Sequence, residues 1–437
     1  MAQVRPFRGY RYATEDRDIS TYCAPPYDVL SEEQRDELAS RNPHNAVELE
    51  LGKGALDDEV PGNRYETTAA RWRQWIAQDV LSRDEQPCLY VLEQRFVHAG
   101  EMHARTSVIC EVKLHAFEEK VILPHEKTLP KALGDRFRLT KATHANFSSV
   151  LGLYDERGPA YFALIEDLKQ GEPLQTATDD AGIVSSLWAV DNPSLTARFV
   201  EMMSDKQVFI ADGHHRYTIA LALRDKLREQ RYGIPADEAA LLPRFDAEAG
   251  SEYVMMALSN MEDPQLLLLP YHRAVRGFEG FSANRFIEHL TECFDVRPGS
   301  TADLEACAEP AFRFKTKDGD FLLASLKPDI SVDKAIAGDH CSEWKHLDVA
   351  VLQELVIGPM LGISYNRPET LRQLAFSKNE SELLEGVENG SLAVAFIMRA
   401  VRMQELRSVS LAGETMPQKS TYFYPKLPSG FVYRSLD

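Results

Sequence analysis

Asp212-Gly213-His214-His215-Arg216 joins a short apolar run, Val208 to Ala211, to a stretch in which Ile219, Leu221, Leu223 and Leu227 recur at helical spacing. Asp-Gly makes a turn, so both histidines and the arginine fall at a helix N-terminus. Backbone N–H groups there lack intrahelical partners, the macrodipole is positive, and arginine adds donors suited to phosphate oxygens. Cations at that end are otherwise unfavourable by roughly 0.3–1 kcal/mol each, so a cluster of them asks for an anion. In the plainer alternative Asp212 caps the helix, one histidine is satisfied in the core and Arg216 pairs with a carboxylate. A metal held by the two histidines together is disfavoured, because adjacent helical residues diverge by about 100°.

Three further polar runs bear on the same chemistry. Residues 121–155 carry His125, Glu126, Thr128, Lys131, Asp135 and Arg136, and the Pro-His-Glu-Lys-Thr part follows a strand end, where loops present side chains to ligands. From this run, Lys131 and Arg136 are candidate phosphate ligands and His125 and Thr128 candidate substrate contacts. Asn42 and His44, in Asn42-Pro43-His44-Asn45 after the first expected helix, and Lys419 and Ser420, before an aromatic run near the C-terminus, are further substrate candidates with an equally simple structural reading as turn and strand rim. There is no GxxxxGK[ST] loop, GxGxxG or GxSxG, so a nucleotide would need another cradle and an α/β-hydrolase is disfavoured.

The elements that must position these groups alternate. Ser31 is a good N-cap for a helix ending near Asn42-Pro43, and a second helix is expected over about 65–81. A hairpin across Ala99-Gly100 follows, then strands over 160–170 and 183–190, and a helix opened by Pro193 that turns Phe199 and Met202 inward. Beyond 251 come a strand (SEYVMMALSNM), a hairpin with an Asp-Gly turn, an amphipathic helix (LDVAVLQELVIGPMLG) and an apolar strand (SLAVAFIMRAV). The interleaving predicts a mixed α/β class, with an N-terminal domain over 1–280 holding the site and a smaller C-terminal α+β domain over 281–437.

At 437 residues the chain can bury two or three cores, and 44% hydrophobic with 27% charged content is that of a globular protein. No apolar run approaches the ~20 residues of a membrane span, and MAQVRPFRGYRY lacks a secretory apolar core, so a cytoplasmic protein is the default expectation. Six scattered cysteines without a CxxC pair read as reduced thiols. A net charge of −18 argues against nucleic acid as a partner but leaves room for a local basic pocket.

RPFRGYRY, APPYDVLS, NPHNAVELE, LPHEKTLPKALGDRFRL, FIADGHHRYTIAL, LDVAVLQELVIGPMLGI and MPQKSTYFYPKL resemble the signatures of a bacterial and archaeal family catalogued as domain of unknown function 1015, over about residues 4 to 428. More locally, Asp212 to Arg216 resembles the phosphate-binding turn of the ParB/sulfiredoxin fold, as carried by free-serine kinases. That likeness implies that Gly213, His214, His215 and Arg216 contact nucleotide phosphates, with Asp212 a base or orienter of an acceptor hydroxyl. The expectation is a phosphotransferase using ATP or ADP on a small hydroxyl metabolite such as serine, with Asp212, His214, His215 and Glu126 as catalytic candidates and Mg2+ on Asp212 or Glu126. Alternatives are a phosphatase using His214 or His215, and a regulator that binds nucleotide without turnover.

Overall fold

The computed structural model describes residues 1–126, 130–243, 245–277, 280–317, 319–364 and 367–437, the side chains of 130–133 and 368 excepted. The chain divides into two compact units, Met1–Leu267 with Pro425–Asp437, and Leu268–Tyr424. The boundary thus differs from the expected 280/281. His272–Arg276 is already hydrogen-bonded within the second unit's sheet, and the last thirteen residues, Pro425–Asp437, return to the first unit.

The first unit is built on a nine-stranded mixed sheet. Its strands are β1 (Val4–Arg5), β2 (Leu89–His98), β3 (Glu101–Lys113), β4 (Ile122–Leu123), β5 (Val150–Tyr154), β6 (Gln175–Thr178), β7 (Val184–Val190), β8 (Val208–Asp212) and β9 (Tyr253–Asn260). They run in the order β4-β8-β5-β9-β3-β2-β7-β6, with β1 alongside β3. The pairs β4–β8 and β5–β9 are parallel and the others antiparallel.

Both faces of this sheet are buried: Leu92, Ile109, Leu151 and Leu153 lie on one, and a hydrophobic cluster covers the other. Val91, Val108, Val150, Val208, Ile210 and Met256 pack there with Leu164 and Ile165 of α4 (Pro159–Leu168), Phe199 of α5 (Pro193–Met203) and Tyr217 of α6 (His214–Tyr232). The preceding helices are α1 (Glu32–Arg41), α2 (Arg64–Ala77) and α3 (Pro130–Thr143). Strand side chains alternate, so Gln94 on β2 and Arg105 and Ser107 on β3 belong to the opposite face.

Ser31 forms a capping box at α1, and β2–β3 is the expected hairpin turning at Ala99-Gly100. The strand expected over 160–170 is instead α4. Tyr161, Leu164, Ile165 and Leu168 recur at i, i+3, i+4 and i+7, and Pro159 at the first turn starts the helix, so helical periodicity wins over the run's apolar content. Of the residues expected to turn inward on α5, Phe199 is fully buried and Met202 only partly; Met203 takes the second core position.

The second unit has a six-stranded antiparallel sheet built from β10 (His272–Arg276), β11 (Phe294–Pro298), β12 (Ala311–Thr316), β13 (Leu322–Leu326), β14 (Leu374–Ser377) and β15 (Leu392–Ile397), in the order β11-β13-β12-β15-β10-β14. The amphipathic helix expected over LDVAVLQELVIGPMLG forms with a π segment, Leu352–Ile357, just before Gly358-Pro359. Proline has no N–H with which to continue the α pattern, and a wider turn accommodates it. The chain is therefore mixed α/β, and no helix among the described residues is long and apolar enough to cross a membrane.

Candidate functional site

Because β4 and β8 are parallel, with Val208 opposite Ile122 and Phe209 opposite Leu123, the chain leaves both strands at the same end of the sheet. The His125-Glu126 loop and the 212–216 turn therefore meet, at the kind of strand end where α/β sheets bind ligands. A register shift in β8 adds to this. Ile210 lies opposite Gly152, on the face that the hydrophobic cluster covers, whereas Asp212 lies opposite Leu151, so the bulge turns the Asp212 carboxylate to the opposite face.

Gly213 holds φ +89°, and a Cβ there would lie 2.8 Å from Arg216 Nε, so the guanidinium folds back over the turn and only glycine leaves it room. Arg216 Nη2 donates to Asp212 Oδ2 at 2.7 Å and Nη1 to the Ser149 carbonyl, while the buried Nε has no partner among the described residues. No side chain caps the start of α6. The plainer alternative holds in part: Arg216 does pair with a carboxylate, but Asp212 is not the helix cap.

His214 is buried. Its Nε2 accepts the His125 backbone N–H at 3.2 Å, and the two rings meet edge to face at 4.6 Å. His125 Nδ1 in turn donates to the Ile210 carbonyl at 2.6 Å. Burial first, then the neighbouring His125, pushes the His214 pKa well below its ordinary value; burial also lowers His125. Both rings are neutral fasteners of the two loops, an arrangement unsuited to His214 as a nucleophile. His215 and Glu126 are partly exposed beside them.

Two decisive side chains escaped the sequence reading. Lys426, delivered by the C-terminal segment, places Nζ 2.5 Å from Asp212 Oδ1. Burial raises the Asp212 pKa, but Lys426 and Arg216 outweigh it and hold the carboxyl well below the usual range. A carboxylate so strongly ionised is a poor proton acceptor, so Asp212 orients cations rather than acting as base. Arg105 on β3 is 1% exposed, donates Nη2 to Gln94 Oε1, and leaves Nε and Nη1 without partners among the described residues. Gln94 Nε2 donates to the Lys426 carbonyl at 3.1 Å, linking Arg105 to the segment that carries Lys426. In sequence, Arg105 reads as the solvent face of an alternating hairpin and Lys426 as part of an aromatic strand end; nothing local marks either.

Arg136 lines a cavity of about 40 Å³ together with Arg216, Tyr27 and Glu50. It is occupied: Glu50 and Asp135 accept from it, and it stacks over the Tyr27 ring at 4.4 Å. Asn42 and His44 fasten their own turn, Asn42 to Thr21 Oγ1 and the His44 N–H, with the His44 ring edge-on to Trp75; nothing described joins them to the 212–216 turn. Lys419 and Ser420 belong to the second unit, where Lys419 lies over Tyr271 and Ser420 donates to the Pro417 carbonyl. Thr128 and the Lys131 side chain lie outside the described residues. Both Asp212 oxygens already accept from cations, so of the two expected Mg2+ ligands Asp212 does not fit that role. A cavity of about 390 Å³ lies at the other end of α6, where Arg228 and Arg231 pair with Glu252 and Asp246.

No curated protein matches the chain. Among solved structures, free serine kinase in complex with AMP is 14% identical with a TM-score of 0.33, covering 72% of this chain and 86% of that one. A conserved hypothetical protein from Pyrococcus furiosus is 15% identical with a TM-score of 0.34, covering 76% and 95%. C-terminally truncated SbnI from Staphylococcus aureus is 12% identical with a TM-score of 0.35, covering 73% and 84%. Likenesses this slight carry no argument about the chain's chemistry. The family described as "Protein of unknown function (DUF1015)" matches residues 4–350, well over half of the sequence, and the chain belongs to that family.

Proposed function

We propose that the chain is a phosphotransferase that moves a phosphoryl group from ATP or ADP to a hydroxyl group of a small metabolite such as serine. One observation carries the reading: Arg216 Nε, buried and without a partner among the described residues, lies over a left-handed Gly213 at the uncapped start of α6. A phosphate oxygen satisfies such a donor together with the N–H groups of the first turn.

Arg216 and Lys426, both anchored on Asp212, offset charge as the bridging P–O bond breaks and the acceptor oxygen bonds to phosphorus. The nucleotide leaves one phosphate shorter. The acceptor hydroxyl proton passes to Glu126, which is partly exposed next to His125 and is better suited than Asp212 to receive it. No step runs through a metal.

Isothermal titration of the full chain with ATP, ADP and AMP, beside Arg216→Ala, tests the reading. Binding in the wild type that weakens about tenfold or more in the variant supports it. Absence of nucleotide binding, with Arg216→Ala indistinguishable from wild type, removes its basis. Release of inorganic phosphate from a phosphomonoester without nucleotide redirects it to hydrolysis.

A further inference from the structure

We propose that Arg105 is a second oxyanion subsite, so that the ligand of this site carries two anionic groups, one on the 213–216 turn and one, a carboxylate or phosphate, at Arg105. The assignment deepens, and rests on, the reading of the turn as a phosphate site. Arginine is rarely sealed in a fold without a carboxylate partner, because desolvating its charge is costly unless a counter-charge compensates it. Arg105 is sealed, and no ion pair to it exists among the described residues; its one hydrogen bond goes to the neutral Gln94 amide. Two of its nitrogens, Nε and Nη1, have no partner among the described residues.

The electrostatics agree with the geometry. Burial pushes the Arg105 pKa down to about 10, and Asp212 is the charge that acts against this. Asp212 is beyond ion-pairing distance from Arg105, and its two oxygens are spent on Lys426 and Arg216. Arg105 therefore shares the field of the site without sharing its salt bridges. Gln94 fixes its direction by accepting from Nη2 while its own amide holds the Lys426 carbonyl. An incoming oxyanion would complete the donors that the fold leaves bare. Access requires a side-chain movement, since Arg105 is 1% exposed.

Thermal shift and calorimetry on the full chain with acetate, inorganic phosphate, pyrophosphate and 3-phosphoglycerate decide the matter. In the wild type, pyrophosphate or 3-phosphoglycerate is expected to bind about tenfold more tightly than inorganic phosphate. A gain confined to pyrophosphate identifies the second group as phosphate, and one confined to 3-phosphoglycerate as carboxylate. Arg105→Met should erase the gain, leave phosphate affinity within about threefold, and melt no lower than wild type without ligand, because an unmatched buried charge has been removed. Arg105→Lys, which keeps the charge and loses the planar donors, should retain only part of it.

Acetate separates this proposal from the reading of the turn. If phosphate does not bind but acetate protects the wild type and not Arg105→Met, the turn reading falls and the subsite stands. A gain that survives in Arg105→Met, or no gain together with Arg105-independent acetate protection, overturns the proposal.

Discussion

Asp212 is an anion held between two cations, Arg216 four residues on and Lys426 from the C-terminal segment. Lys426→Met leaves one carboxylate oxygen bare, and the expected loss is about 1–3 kcal/mol, since the pair is only partly sealed from water. Urea unfolding measures it, and a change below the error of the method would show that Arg216 alone suffices. The histidines give a pH dependence of determinate sign. His125 and His214 have lowered pKa values in the fold, so acidification protonates the unfolded chain first. Stability should be level above about pH 6.5 and fall below it. His214→Gln, which keeps an acceptor for the His125 N–H, should make that decline shallower; an unchanged slope between pH 7 and pH 5 would locate the sensitivity elsewhere.

At the level of elements, two glycines allow close approaches of different kinds. In β5, a Cβ on Gly152 would lie 2.7–2.9 Å from Val208, Met256 and Leu258, so Gly152→Ala overpacks the core between β8 and β9. A cost of about 1–3 kcal/mol is expected, with anion binding intact in the molecules that fold. Gly213→Ala should instead lose anion binding, because it both strains a left-handed residue by roughly 1–2 kcal/mol and pushes Arg216 off the turn. Titrating phosphate against both variants separates packing from binding; equal affinity in the two would mean that the turn does not hold the anion. The strand, turn and helix around Gly213 were legible in the sequence, because the apolar run and the 3.6-residue spacing are local. Helix α4 was legible in principle too, and its apolar content hid a periodicity that was present.

For the molecule as a whole, the C-terminal segment decides whether the first unit is complete. Arg434, 1% exposed, is held by Glu111, Asn146 Oδ1 and the carbonyls of Tyr253 and Gly250, while Lys426 of the same segment reaches Asp212. Truncation before Pro425 removes both. Glu111 keeps Arg5, but the other buried acceptors of Arg434 lose their donor at about 1–3 kcal/mol each, a large share of the roughly 5–15 kcal/mol that stabilises a folded protein. The truncated chain is therefore expected to lose cooperative unfolding of the first unit, measurable by calorimetry beside the milder Arg434→Met. A sharp native-like transition in the truncated protein would contradict this.

The mixed α/β class, the family likeness and the strand, turn and helix around Gly213 were all readable from the sequence, because each rests on residues adjacent in the chain. The sequence also singled out His125 and Glu126 as a strand-end loop. That this loop meets the turn follows from the parallel pairing of β4 with β8, which no local pattern records. The same holds for Lys426, 214 residues from Asp212, and for the burial of Arg105 without a counter-charge. Local spacing records how a segment folds; which distant charges share one low-dielectric volume is set by sheet order and strand register.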